Sequence, residues 1–155
     1  MPRLMIVDGN NQYLRAYIVN PTLSPNGQPI GGVVGTLKIL QKLCKEINPD
    51  QIVICWDGEG GSQKRKSMFK EYKQGRNPLT LNSNIAANAE DDLKNRIWQE
   101  TRLVEYLNNL PIIQLMVDGV EADDLIAYLC KDEEYANCQK VICSNDKDFL
   151  QLLDD

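Results

Sequence analysis

Three carboxylates, Glu121, Asp123 and Asp124, crowd the short stretch Asp118–Leu125 (DGVEADDL). The apolar run Ile112–Val117 precedes them, and Ala122, Leu125, Ile126 and Leu129 follow at helical spacing. Glu121 is therefore expected at or near a helix N-terminus. Positions three apart share a helix face, which points Glu121 and Asp124 the same way and leaves Asp123 on the flank. Capping and the helix dipole account for one or two acids at such a place. Acids recur, however, where other apolar runs end, at Asp8, at Asp57 and at the pair Asp146 and Asp148. So many carboxylates in one crevice cannot all ionise without cations. Hard divalent ions with oxygen ligands, Mg2+ or Mn2+, answer that repulsion. Two such ions ~3.5–4 Å apart would activate a water and stabilise the leaving oxygen in phosphodiester hydrolysis.

The rest of the composition narrows the chemistry. The sequence has no histidine, which removes Ser-His-Asp and Cys-His catalysis, a histidine base and histidine-ligated zinc. The five cysteines are odd in number and form no C-x-x-C. They read as reduced thiols in a reducing compartment. Carboxylates, lysines and metal ions are what remain.

Four short apolar runs must carry those acids. Leu4–Asp8, Gln51–Trp56, Ile112–Val117 and Lys140–Cys143 read as buried strands, each meeting an acid within a few residues. Between them lie helical patterns. One runs through Tyr13–Ile18, and an amphipathic one over Val33–Ile47 is stopped by Asn48-Pro49. Another occupies the latter part of Leu81–Leu110, and a last helix is expected from Phe149. Pro21–Gly35, rich in Pro, Gly, Asn and Ser, reads as a loop. Strands alternating with helices imply an α/β fold, a mostly parallel sheet with right-handed crossovers. Parallel strands bring their C-terminal ends to one edge, where Asp8, Asp57, Glu121, Asp123, Asp124, Asp146 and Asp148 would converge.

At 155 residues, 43% apolar and 25% charged, the chain is expected to form one globular domain. No apolar stretch approaches the ~20 residues that cross a bilayer, so a cytoplasmic location is expected. The net charge of −5 hides a split. Between Ser62 and Asn77, Lys64, Arg65, Lys66, Lys70, Lys73 and Arg76 stand against Glu71 alone, whereas Asp118–Asp155 holds eleven acids and three lysines. A basic patch beside an acidic one suits a polyanion held next to metal ions. The basic run lies in Gly58–Leu110, about fifty residues between successive strands and far more than a crossover needs. Tyr72 among Lys70, Lys73 and Arg76 mixes a ring with cations, as stacking on a base and holding phosphates require.

With these residues in order, the sequence resembles the 5′-nuclease superfamily. That superfamily includes the 5′-3′ exonuclease domains of bacterial DNA polymerase I, phage 5′ nucleases of the RNase H type and flap endonucleases. The segments LMIVDG, ICWDG, YKQGR, GVEADDL and SNDKDF carry the resemblance, which covers almost the whole chain. It implies a three-layer PIN-like α/β domain with a helical arch over about 60–110. Asp8, Asp57, Glu121, Asp123, Asp124, Asp146 and Asp148 would be its metal-site acids. Lys73 resembles the arch-base lysine, Arg65 and Arg76 resemble phosphate contacts, and Tyr72 resembles an aromatic beside the reacting nucleotide. Lys66 and Lys70 join them as nucleic-acid contacts, with Lys73, Arg76 and Asp124 as catalytic residues. Trp56 stands where Phe is commoner, and Asn145 replaces a small residue before Asp146.

The implied activity is metal-dependent hydrolysis of 5′ flaps, 5′ ends or RNA primers in DNA replication and repair, with two Mg2+ or Mn2+ ions. Members of the family continue into a helix-three-turn-helix region that grips duplex DNA, and no candidate for it follows Asp148 in this sequence. The resemblance therefore implies either a longer chain or a separate helix-three-turn-helix polypeptide as partner, in a bacterial or phage-infected cell. Two other readings share the strand-end acids: a PIN-like endoribonuclease, and a DNA-binding subunit inactive alone.

Overall fold

A computed structural model describes residues 1–59 and 89–153. Its first strand, β1 (Arg3–Asp8), is the centre of the molecule. Leu4, Met5, Ile6 and Val7 are all essentially fully buried, which explains why this segment is an unbroken apolar run: a strand covered on both faces has no polar side to show. Alternate side chains serve different layers. Met5 and Val7 pack with α1 (Gly9–Val19), α2 (Gly31–Ile47) and α3 (Ala89–Leu107) on one face. Leu4 and Ile6 pack with α4 (Ala122–Lys131) and Phe149 on the other. The expected three-layer α/β architecture is what the chain forms.

The sheet has four strands in the order β3-β2-β1-β4, every pair parallel, with β2 spanning Gln51–Trp56, β3 Ile113–Met116 and β4 Gln139–Cys143. From β1 the chain steps to β2 and then β3 through helices on the first face. It returns across the sheet through α4 on the second face to place β4 on the other side of β1. The direction of winding therefore reverses between β1 and β4. A crevice opens at the C-terminal ends of strands at such a reversal, because the outgoing loops part to opposite faces.

Three expectations need correction. The α2 helix begins at Gly31, inside the stretch Pro21–Gly35 that composition marks as loop. Its glycines serve close packing: a Cβ at Gly35 would sit 2.8 Å from the Cβ of Ala16, and one at Gly32 would sit 2.6 Å from the Tyr13 ring. Strand β3 is an edge strand, with Ile113 and Met116 exposed, rather than a buried one. The last helix is a 3-10 segment, Lys147–Leu152, starting two residues before Phe149. Elsewhere the boundaries fall close to expectation, and Asn48 ends α2 in the left-handed conformation just before Pro49.

Candidate active site

The acids take their places from the ends of the elements. Asp8 is both the last residue of β1 and the N-cap of α1, its Oδ1 accepting from the Asn11 N–H at 3.2 Å. The strand thus passes into the helix with no intervening turn. Gly9 makes this junction tight: a Cβ there would lie 2.8 Å from the Trp56 indole. Ser144, just past β4, donates to Asp8 Oδ2 at 3.3 Å and accepts from the Asp146 N–H at 3.1 Å. Asp146 caps the following 3-10 segment, accepting from the Asp148 N–H at 2.9 Å. On this side of the crevice the two strand-end loops are therefore stitched to one carboxylate.

Asp57 follows β2 directly. Its N–H donates to Asn10 Oδ1 and its Oδ1 accepts from the Ala122 N–H, both at 2.7 Å. A carboxylate suits that second position, since unsatisfied N–H groups and the dipole make a helix N-terminus electropositive. The loop after β2 runs alongside the one before α4: Gly58 N–H donates to Val120 O and Gly119 N–H to Glu59 O, each at 2.8 Å. Gly119 has φ +76, and Val120 N–H closes the turn onto Val117 O. Asp118 accordingly sits in a turn. These bonds place Glu121, the N-cap of α4 and almost wholly buried, beside Asp57, with Asp123 and Asp124 in the first helical turn.

Electrostatics tie the two sides together. Burial pushes the Asp8 carboxyl up to about 6, and the nearby charges of Asp57 and Asp123 push in the same direction. The hydrogen bonds from Asn11 and Ser144 pull it down. Glu100 on α3 is also raised, mainly by burial; Arg96 opposes the shift and Asp57 adds to it. Asp123 is thus the first-turn acid that acts on Asp8, while Asp124 is exposed. Asp57 and Asp148 are exposed, and Asp123 and Asp146 half-buried.

Among the described residues no group of three or more acids stands as a ready-made metal-holding set. In kind the donors fit a hard cation, being all oxygen, with the charges of Asp57 and Asp123 both acting on Asp8. Arg65, Lys66, Lys70, Tyr72, Lys73 and Arg76 lie outside the described residues, as does the part of the expected arch before Ala89. Sequence reading missed the residues that hold the acids, Asn10, Asn11 and Ser144, and the half-buried Glu100, on which the charge of Asp57 acts. The signal for the first two was available, because side-chain amides in a first helical turn beside a strand-end acid are natural loop ties.

The parallel four-stranded sheet with helices on both faces has the PIN-like α/β fold. The chain belongs to the family described as the 5′-3′ exonuclease N-terminal resolvase-like domain, whose model matches residues 3–155. It is 33% identical over 153 residues to the DNA polymerase I of Caldicellulosiruptor bescii, covering 98% of this chain and 16% of that protein. It is 32% identical over 154 residues to the 5′-3′ exonuclease of Aquifex aeolicus, covering 99% of this chain and 48% of that one. The chain thus spans half or less of the length of these relatives. In fold it is similar to the bacteriophage T5 flap endonuclease, solved in a pseudo-enzyme–product complex with DNA and metal ions. That match has a TM-score of 0.69 and 22% identity, covering 99% of this chain and 52% of the phage protein. Among the described residues no helix is long and apolar enough to cross a membrane.

Proposed function

We propose that this domain is the catalytic part of a divalent-metal-dependent 5′ nuclease that hydrolyses phosphodiesters at 5′ flaps, 5′ ends or RNA primers on DNA. The observation that carries the reading is a buried Asp8 at the C-terminal sheet edge, stitched to the β4 loop and close enough to feel the charges of Asp57 and Asp123, in a chain of the 5′-3′ exonuclease family. Asp8, Asp57, Glu121, Asp123, Asp124, Asp146 and Asp148 would hold the ions, Mg2+ or Mn2+ and two in number. The cations would supply positive charge where the scissile phosphate gains negative charge. Asp57, fixed by Asn10 and Ala122, keeps its second carboxylate oxygen for the site. Asp8, fixed by Asn11 and Ser144, holds the β1 and β4 sides in register. Lys73 and Arg76 would offset charge developing on the phosphate, Tyr72 would stack on the terminal base, and Arg65, Lys66 and Lys70 would track the backbone.

Grip on duplex DNA is assigned to a helix-three-turn-helix region, on further chain or on a separate polypeptide, in the cytoplasm of a bacterial or phage-infected cell. The test is a 5′-flap duplex labelled at its 5′ end, incubated with the chain and Mg2+ or Mn2+ and, as control, EDTA. Cleavage near the flap junction that EDTA removes is the expected result. A folded chain that binds the flap and never cuts it, at any metal concentration and with the helix-three-turn-helix region supplied, overturns the reading in favour of a DNA-binding role.

A further inference from the structure

We propose that the hollow between the Leu23–Pro29 loop and the first turns of α3 is a nucleobase pocket, with Trp98 as its stacking platform. The proposal rests on the nuclease reading only in taking nucleic acid as the ligand. The cavity has a volume of about 310 Å³ and is lined by Gln28, Pro29, Asp91, Lys94, Asn95 and Trp98. That volume lies at the lower end of the range for small-molecule sites.

The two tryptophans of the chain have opposite fates. Trp56 is buried and its Nε1 donates to Gln114, whereas Trp98 is 38% exposed. An exposed indole is unfavourable in water and offers a π-face to a base. The Arg102 guanidinium, paired with Glu105, lies over it from the next helical turn, 5.9 Å from the ring centroid. The amides of Gln28 and Asn95 present donors and acceptors of the kind that base edges match. Asp91 in the lining disfavours a phosphate inside the pocket, and Lys94 is paired with Glu90 at 2.9 Å. The base, not the phosphate, is therefore what the pocket admits.

Both walls are formed in advance. In the loop, Leu23 bridges Pro29, Ser24 N–H donates to Gln28 O at 2.7 Å, and Gln28 N–H donates to Ser24 Oγ at 3.1 Å. Helix α3 is held against α1 and α2 by Tyr17 donating to Asp92, Tyr13 Oη donating to Arg96 O at 2.6 Å, and Gly32 N–H donating to Gln99 Oε1 at 2.8 Å. A preformed pocket avoids the ordering cost of binding. The base admitted here is an unpaired one, since a base inside a duplex has both faces stacked and its pairing edge occupied.

The test is tryptophan fluorescence in EDTA, where no hydrolysis competes, titrating the chain with single-stranded oligo(dT) and, separately, with dTMP. Quenching is expected, with Trp98→Ala removing it and raising the oligonucleotide Kd about 5- to 100-fold. Trp98→Phe should restore most of the affinity, which a merely disrupted helix would not. Tighter binding of the oligonucleotide than of dTMP identifies a strand as the occupant; equal binding identifies a free nucleotide. Quenching that persists in Trp98→Ala, or an unchanged Kd, overturns the pocket. Failure to cleave with metal present bears on the nuclease reading alone.

Discussion

Asn10 Oδ1 accepts a 2.7 Å hydrogen bond from the Asp57 N–H, so the first turn of α1 holds the end of β2 in place. Asp57 is then held at two points, its backbone N–H by the Asn10 side chain and its carboxylate by the Ala122 N–H. Asn10→Ala removes one of these and should lower stability by only about 1 kcal/mol. Its larger effect should be on metal: the Mg2+ concentration for half-maximal cleavage should rise several-fold while affinity for flap DNA in EDTA stays put. A variant that melts earlier yet keeps the wild-type Mg2+ dependence would reduce Asn10 to a structural tie.

Asp8 gives a pH signature whose sign is the reverse of an ordinary surface carboxylate. Burial raises its pKa from 3.8 to about 6 in the folded chain. The fold therefore favours the protonated form. That contribution is fully present below about 4 and is lost as pH rises through about 6, an amount on the order of 3 kcal/mol. In EDTA the wild type should lose melting temperature relative to Asp8→Asn between about pH 4 and about pH 7. Stabilisation by added Mg2+ should grow over the same interval, because an ion relieves the pressure only once the carboxyl is charged. A constant difference between the two proteins across that range would show that burial does not raise the Asp8 carboxyl.

Much of this arrangement is legible in the sequence. Four apolar runs ending in acids identify the strands, their polarity and the edge on which the acids meet, because a parallel sheet leaves no other place for them. Helix α2 is misread at its start, where glycines that permit a close crossing with Ala16 and Tyr13 look like loop composition. The edge position of β3 is not written in its residues either, since Ile113 and Met116 are as apolar as a buried strand requires. Ser144 and Glu100 escape notice for a third reason: their relation to Asp8 and Asp57 exists only once distant segments meet. No local pattern records that.

Asp124 separates metal chemistry from folding. It is an exposed first-turn acid of α4. Asp124→Asn should leave the melting temperature in EDTA within about 2 °C of wild type, since an exposed substitution typically moves stability by no more than about 0.5 kcal/mol. Cleavage with Mg2+ should fall by at least ~10²-fold if the carboxylate holds an ion. Wild-type turnover by Asp124→Asn would remove it from the metal site and leave helix-end electrostatics as its role.

Gly58 tests whether the loop seam positions the acids. A Cβ there would stand 1.7 Å from Val117 O, a backbone atom that cannot swing away. Gly58→Ala must therefore part the loops after β2 and β3, breaking the Gly58-to-Val120 hydrogen bond. Overpacking of this kind costs about 1–3 kcal/mol, read as a lower melting temperature. Asp57 and Ala122 lie on the two sides of that seam, so cleavage should drop further than the loss of folded protein explains. Equal losses of cleavage and folded fraction would mean that the acids find their places without it.

Tyr17 anchors the start of α3 from below, its hydroxyl donating to the buried carboxylate of Asp92. Tyr17→Phe keeps the ring that packs 6.0 Å from Tyr13 and removes only the donor. Withdrawing a donor from a buried charged group costs about 1–3 kcal/mol, which for a chain of this size lowers the melting temperature by roughly 3–10 °C. Asp92→Asn should be less damaging in the Tyr17→Phe background than in wild type, because an amide needs that donor less than a carboxylate does. Thermal melts of the two single variants and the double variant give the coupling directly. Additive losses would show that α3 is held by Tyr13 and Gln99, with the Tyr17–Asp92 pair contributing nothing of its own.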